Sequence, residues 1–203
     1  MSRYLGPRLR IVRRLGILPG LTSKTSKKIS LPGQSAISSS KKLSEYCIRL
    51  REKQKLRFNY SITDRQLLNY FKKARKKKGS SGFELLSLLE MRLDNIVFRL
   101  GIASTILFAR QLISHGHITV NYKVINIPSF ICKPSFIVGI RKRNSSQVLV
   151  RTNLLLAKNS FLPSHLVFSN DKLEGKILSP LSRNSLILLV NDLLVVEYYS
   201  RKS

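Results

Sequence analysis

Between Leu89 and Arg143 the apolar residues change their period, and this restricts the fold more than any other feature of the chain. Leu93, Ile96, Val97 and Leu100 recur at helical spacing until Gly101 stops them. Ser104 or Thr105 is placed to cap a second helix running through Ile113 and stopped at Gly116. The pattern then becomes strand-like: Ile118-Thr119-Val120, a turn at Asn121-Tyr122, then Val124 to Ile127, with a third apolar run at Phe136-Ile137-Val138. Helix, tight link, helix and short antiparallel ribbon predict an α+β unit.

The same stretch carries cations at readable positions. Arg92 and Arg99 stand seven apart, which predicts a shared helix face opposite the apolar stripe. Thr105 opens the next helix, where free backbone N–H groups suit a phosphate. Arg110 lies about one turn further on, and Lys133 falls in the ribbon. Two arginines on an amphipathic helix by themselves mean only a solvated face, so the combination carries the reading.

Upstream, the chain reads as short helices rich in Lys and Arg. Pro7 and Gly16 bracket a helix containing Arg8, Arg10, Arg13 and Arg14. Thr22 to Lys42 is rich in Ser, Thr and Lys, includes Lys41 and Lys42, and predicts a loop that orders against a partner. Ser44 caps a helix with Tyr46, Cys47, Leu50 and Phe58 on or near one face and Arg49, Lys53, Lys55 and Arg57 elsewhere. Thr63 to Gln66 has capping-box spacing and opens a helix with Leu67, Tyr70, Phe71 and Ala74 inward. That helix is expected to end in Lys72, Lys73, Arg75, Lys76, Lys77 and Lys78. A helix C-terminus favours cations, but six in seven positions exceeds that need and points to phosphate. Ser81 to Glu84 repeats the capping-box spacing before a Leu-rich stretch that breaks near Met91. Further on, residues 147–162 read as a helix, and 166–168 and 176–178 as short strands. Leu193 to Tyr199 reads as strand or helix; its β-branched and aromatic content favours strand, which tertiary packing can override.

Charge narrows the function. The 203 residues include 37 Lys+Arg against 10 Asp+Glu, a net charge of +27. Residues 1–80 hold 22 of the cations and 3 of the acids. A surface this one-sided needs a polyanion; nucleic acid is the default and an anionic membrane the alternative. A membrane-spanning role is excluded by the apolar runs: Leu186 to Val190 and Leu193 to Val196 are separated by Asn191 and Asp192, well short of the roughly 18 residues required. Cys47 and Cys132 show no disulfide or zinc spacing, and His115 and His117 have no acid or cysteine within a few residues. No metal or cofactor is expected. Residues 1–44 have no acid, the composition either of a cleaved targeting segment or of an RNA-gripping arm.

Leu89-Glu90, Arg92-Leu93, Val97-Phe98-Arg99, Ala103, Thr105, Ala109-Arg110 and Leu112 resemble the "S-four-like" RNA-binding module. The resemblance implies an alpha-L fold whose helical face grips structured RNA. The flanks extend it. Ser2 to Leu9, Arg13 to Gly16, Pro32-Gly33-Gln34, Leu50 to Arg57, Lys172 to Gly175 and Val195 to Ser200 resemble the S-four family of small-subunit ribosomal proteins. Tyr46 to Leu50, Glu90 to Asn95 and the Tyr-Tyr-Ser ending are similar to its plastid-encoded type, and because the likeness begins at Ser2 the basic N-terminus is expected to be mature.

The family implies a basic helical rRNA-binding domain over 1–90, completed by 188–203, and an S-four-like domain over 91–187 with its core module at 91–143. It implies no catalysis and no membrane, but primary assembly on the 5′ domain of small-subunit rRNA. It also implies adjacency to the family's protein "five", influence on translational accuracy and a place on the path of incoming messenger RNA. The setting implied is a plastid ribosome, with a cyanobacterial-type cytoplasm as the alternative. The RNA contacts would be Arg3, Arg8, Arg10, Arg13, Arg14, Lys41, Lys42, Arg49, Lys53, Lys55, Arg57, the Lys72–Lys78 run, Arg92, Arg99, Thr105, Arg110 and Lys133.

Several positions depart from the family pattern. No cysteine precedes Cys47, so the four-cysteine zinc site of some members is not expected. Ser35 to Ser40 interrupt a region that is usually more basic. Ile106-Leu107-Phe108 is unusually apolar, through core packing or a protein contact. Tyr122 replaces the usual turn glycine, so a positive φ there would be strained. Two other readings remain: an RNA-modifying enzyme carrying the module as an accessory, and a free RNA-binding translational regulator. The 60 residues after Arg143 offer the first no paired general base. Sedimentation with or without small subunits separates the second from a ribosomal role.

Overall fold

A computed structural model describes residues 4–28, 30–33, 43–156, 162–181, 183, 188 and 190–201. The chain forms two compact units, residues 1–86 with 188–203 and residues 87–187. Among the described residues there are eight helices and one five-stranded sheet, an α+β architecture.

The first unit is helical. α1 (Arg8–Leu15) follows Pro7, which stands at the N-cap, and ends where Gly16 takes φ 96°, a conformation open to glycine. None of its side chains is fully buried. It is held partly by Arg13, whose guanidinium donates to the Ser30 carbonyl at 2.6 and 3.0 Å. α2 (Glu45–Asn59) begins at Ser44, whose hydroxyl accepts from the Cys47 N–H. Its buried residues are Lys53, Leu56 and Asn59, while Tyr46 is 60% exposed. The inward face is therefore rotated from the one expected. α3 (Asp64–Arg75) carries the full Thr63–Gln66 capping box and buries Leu67, Phe71 and Ala74.

α4 (Ser81–Glu90) starts one residue earlier than its capping-box spacing suggested. The Glu84 N–H bonds the Ser80 carbonyl, and Ser81 is already helical. In the first unit the last element is a helix, the less favoured of the two readings. α8 (Asp192–Ser200) is capped by the Asn191 side chain, which accepts from the Leu193 N–H. Val195, Tyr198 and Tyr199 recur at helical spacing and are buried; α8 packs on α2, and Tyr199 stacks on Phe71 at 5.0 Å. Burying that stripe outweighs the strand propensity of its residues.

The second unit packs helices on a sheet. α5 (Leu93–Arg99) contacts α6 (Ile106–Ser114), whose N-terminus is capped by Thr105 accepting from the Phe108 N–H. The strands are β1 (Ile118–Val120), β2 (Lys123–Val124), β3 (Ile137–Ile140), β4 (Leu166–Ser169) and β5 (Glu174–Ile177), in the antiparallel order β2-β1-β3-β5-β4. β2 is shorter than the expected run to Ile127. α7 (Asn144–Leu156) follows β3; the rest of the helix expected to reach 162 lies, to residue 161, outside the described residues.

One core joins these elements, with Leu93, Ile96, Val97, Leu112, Ile113, Ile118, Val138, Val150 and Ile177 within it. Ile106 is buried and Phe108 packs on that core, which favours the packing reading of the apolar Ile106-Leu107-Phe108 stretch. Gly175 of β5 lets Leu100 come close, since a Cβ there would meet Leu100 Cδ1 at 2.5 Å. The link from α4 to α5 is tied to residues 128–132: Leu93 and Asp94 donate N–H bonds to the Phe130 and Pro128 carbonyls, and Cys132 donates to Met91.

Candidate nucleic-acid interface

The cations of the first unit fall into two groups. On α1, Arg8, Arg10 and Arg14 are exposed, and none has an acidic partner among the described residues. The same is true of Lys72, Lys73, Arg75, Lys76 and Lys78 at the end of α3. The helix itself stops at Arg75; Lys76 caps it, and the chain turns through Lys77 and Lys78 to Gly79 at φ 117°. Lys77 pairs with Glu84 at 2.8 Å. The run thus fans its charge from a helix end and a turn.

The second group is bonded within the fold. Arg49 binds Glu197 at 2.6 Å and Glu45 at 2.8 Å, which raises the pKa of its guanidinium further. Lys53 is buried, pairs with Asp64 at 2.9 Å and sits 5.0 Å from the Tyr198 ring centroid. Lys55 pairs with Glu52, and Arg57 lies 3.4 Å from Asp64 and over the Phe58 ring. Arg13 is occupied by the Ser30 and Leu31 carbonyls. Arg3, Lys41 and Lys42 lie outside the described residues.

In the second unit the structure corrects the expectation for Arg92 and Arg99. Arg92 is the N-cap of α5, not a residue of its helical face, because the Met91–Cys132 and Leu93–Phe130 bonds hold the backbone extended there. Both side chains point inward, at 3% and 5% residue exposure. Arg92 donates to both oxygens of Asp94, at 2.7 and 3.0 Å. Arg99 donates to both oxygens of Glu90. Arg110 completes the Asp94 cluster at 2.7 Å. These three guanidiniums hold α5 to α6 and to the end of α4, and two carboxylates offset two of their three charges within the fold. The Thr105 hydroxyl is likewise engaged as the α6 cap.

Lys133 is exposed. A further cationic group was passed over in the sequence reading. Arg141, Lys142 and Arg143 are exposed between β3 and α7, near His115 and His117, whose rings lie 6.1 Å apart. Burial lowers the His117 pKa, and His115, Arg143 and Arg141 push the same way. The run of three cations was visible in the sequence, but nothing there placed it beside the histidines. No cluster of His, Cys, Asp or Glu able to hold a metal occurs among the described residues. No described helix is long and apolar enough to cross a membrane.

Residues 3–90 match the family described as "Ribosomal protein S4/S9 N-terminal domain", and residues 91–138 match the "S4 domain". The chain is 59% identical to small ribosomal subunit protein uS4c of Euglena gracilis over 204 residues, covering 100% of both chains. It is 58% identical to small ribosomal subunit protein uS4 of Nostoc punctiforme, again over 100% of both. Against uS4c of Cyanophora paradoxa it is 56% identical over 99% of this chain and 100% of that one. Taken with the helical basic unit and the helix-on-sheet unit, this full-length similarity means that the chain belongs to the uS4 family of small ribosomal subunit proteins.

Proposed function

We propose that the chain works by electrostatic gripping of folded small-subunit rRNA, as a structural and non-catalytic part of the particle. Family membership makes it a structural constituent of the small ribosomal subunit. The observation that supports the gripping mechanism is the division of its cations. Arg8, Arg10, Arg14, Lys72, Lys73, Arg75, Lys76 and Lys78 stand exposed with no acid to neutralise them among the described residues, and Lys133 and Arg141 to Arg143 do so on the second unit. Such charges release counterions when they meet phosphates, which makes affinity fall steeply with salt. Recognition of duplex RNA then comes from shape rather than a base code.

In this reading Arg49, Lys53, Lys55 and Arg57 act by fixing helices of the first unit, and Arg92, Arg99 and Arg110 by fixing α5 and α6 of the second. We take the 5′ domain of the rRNA as the RNA held, and protein "five" and incoming messenger RNA as neighbours, with an effect on decoding accuracy. The setting is a plastid ribosome; similarity to the uS4c proteins of Euglena gracilis and Cyanophora paradoxa supports this. Recovery of the protein with plastid ribosomes after organelle fractionation tests that setting, and recovery with another particle overturns it.

Filter binding to small-subunit rRNA across a salt series tests the mechanism. Lys72→Gln and Lys73→Gln should each flatten the log–log slope by about 0.7–0.9. Unchanged affinity and slope in both variants would sink the assignment.

A further inference from the structure

Within the first unit a groove of about 710 Å³ lies against α1, α2 and the Leu31–Gly33 segment. That volume falls in the range of roughly 300–1,000 Å³ that holds small organic ligands. Its lining has two characters. Ile11, Leu15, Leu50 and Phe58 make it apolar, and Arg10, Arg14, Arg51 and Arg57 make it cationic. Among the described residues no acidic one lines it. Arg57 has Asp64 at 3.4 Å, but Arg10, Arg14 and Arg51 have no ion-pair partner among the described residues. Three uncompensated guanidiniums around an apolar groove call for an anion with a flat apolar part.

The aromatic geometry favours a nucleobase. Tyr4 meets Phe58 edge to face, with centroids 5.4 Å apart and planes at 77°. Arg57 covers the Phe58 ring at 4.9 Å. Tyr4 is 38% exposed, so part of its ring remains open for stacking. Gln54 also lines the groove; its carbonyl oxygen accepts from Arg57 at 3.3 Å, and its amide N–H groups can serve a base edge. An extended peptide fits less well. Two walls are helices whose backbone groups are bonded internally, so they offer a peptide backbone few partners.

We infer that this groove accepts one unstacked nucleobase of bulged or single-stranded RNA, with the neighbouring phosphates held by Arg10, Arg14 and Arg51. The inference rests on the RNA-binding reading above and adds a subsite for an unpaired nucleotide to it. Stacking on Tyr4 supplies sequence-tolerant affinity, because every base has a π face. The arginines select for RNA that can leave its helix at that point.

The full chain is titrated with two RNA hairpins, one fully paired and one bearing a single 2-aminopurine bulge. The expected result is quenched fluorescence on binding, about tenfold preference for the bulged hairpin, and protection of the groove-lining Cys47 from alkylation. Tyr4→Leu should abolish the quench and most of the preference. Arg51→Gln should weaken binding and flatten its salt dependence while leaving the quench at saturation. Lys172→Gln, on the second unit, should change nothing. Equal binding of both hairpins without quenching, while small-subunit rRNA still binds, overturns the groove inference alone. Loss of preference for that rRNA overturns the underlying reading as well. Stronger protection of Cys47 by a polyglutamate peptide than by the bulged hairpin would assign the groove to an acidic protein segment and refute the inference.

Discussion

Arg99 faces Glu90 through two hydrogen bonds, Nη2 to Oε1 at 2.8 Å and Nε to Oε2 at 3.2 Å, with both side chains at or below 4% exposure. The Asn95 amide also donates to Glu90, at its Oε2 and its backbone carbonyl. The arrangement joins the end of α4 to α5 through charge rather than apolar packing. Removing one partner leaves the other buried and uncompensated. Glu90→Ala should therefore cost about 3–5 kcal/mol in urea unfolding. The double variant Glu90→Leu with Arg99→Met should recover most of that loss. Equal destabilisation of the single and double variants would show that the pair is not what matters.

A second prediction concerns pH. His165 is buried, both ring nitrogens lack a hydrogen-bond partner among the described residues, and burial lowers its pKa. Glu90 opposes that shift and Arg99 adds to it. The unfolded chain therefore binds this proton more readily than the folded one. Stability should be fully present above the ordinary histidine value of 6.5 and decline as pH falls below it. His165→Phe should remove that part of the decline. An unaltered pH profile of urea midpoints would contradict it.

The Asn121-Tyr122 turn has both residues at positive φ, 47° and 66°, and Tyr122 is 70% exposed. A glycine would relieve the strain and give up little packing. Tyr122→Gly should raise stability by roughly 1 kcal/mol, read from thermal or urea melts. A destabilised variant would mean that the tyrosine ring holds the hairpin.

The two cysteines should differ in reactivity. Burial, and secondarily the charge of Asp94, push the Cys132 thiol up to about 12, so it stays protonated near neutral pH. Cys47 is only half-buried. Iodoacetamide should modify Cys47 in the native protein and reach Cys132 only after denaturant is added. Mass spectrometry of the labelled peptides distinguishes the two.

Periodicity and end signals made most elements legible in the sequence. Pro7 and Gly16, Ser44, the Thr63–Gln66 box and Thr105 all mark real helix ends. These are local signals, decided by backbone donors within a few residues. α8 was ambiguous because its fate depends on α2 and Phe71, far away in sequence. The inward placement of Arg92 and Arg99 was hidden for the same reason. Arg92 and Arg8 look alike in a string of letters, yet only Arg92 meets two oxygens of Asp94 inside the core. Whether a cation faces water or a carboxylate is set by tertiary placement, which spacing does not encode. The groove beside α1 was equally hidden, since it brings Tyr4, Leu31 and Phe58 together across more than fifty residues.

The placement of the carboxylates bears on how the protein must be handled by the cell that makes it. Glu45, Glu52, Asp64, Glu84, Glu90, Asp94 and Glu197 each hold a Lys or Arg of the chain itself. Few anions are left to shield one copy from the field of another or from passing polyanions. Freshly synthesised molecules should stay apart from each other while adhering to almost any nucleic acid, so a chaperone or rapid delivery to the nascent particle becomes a requirement of the charge pattern itself.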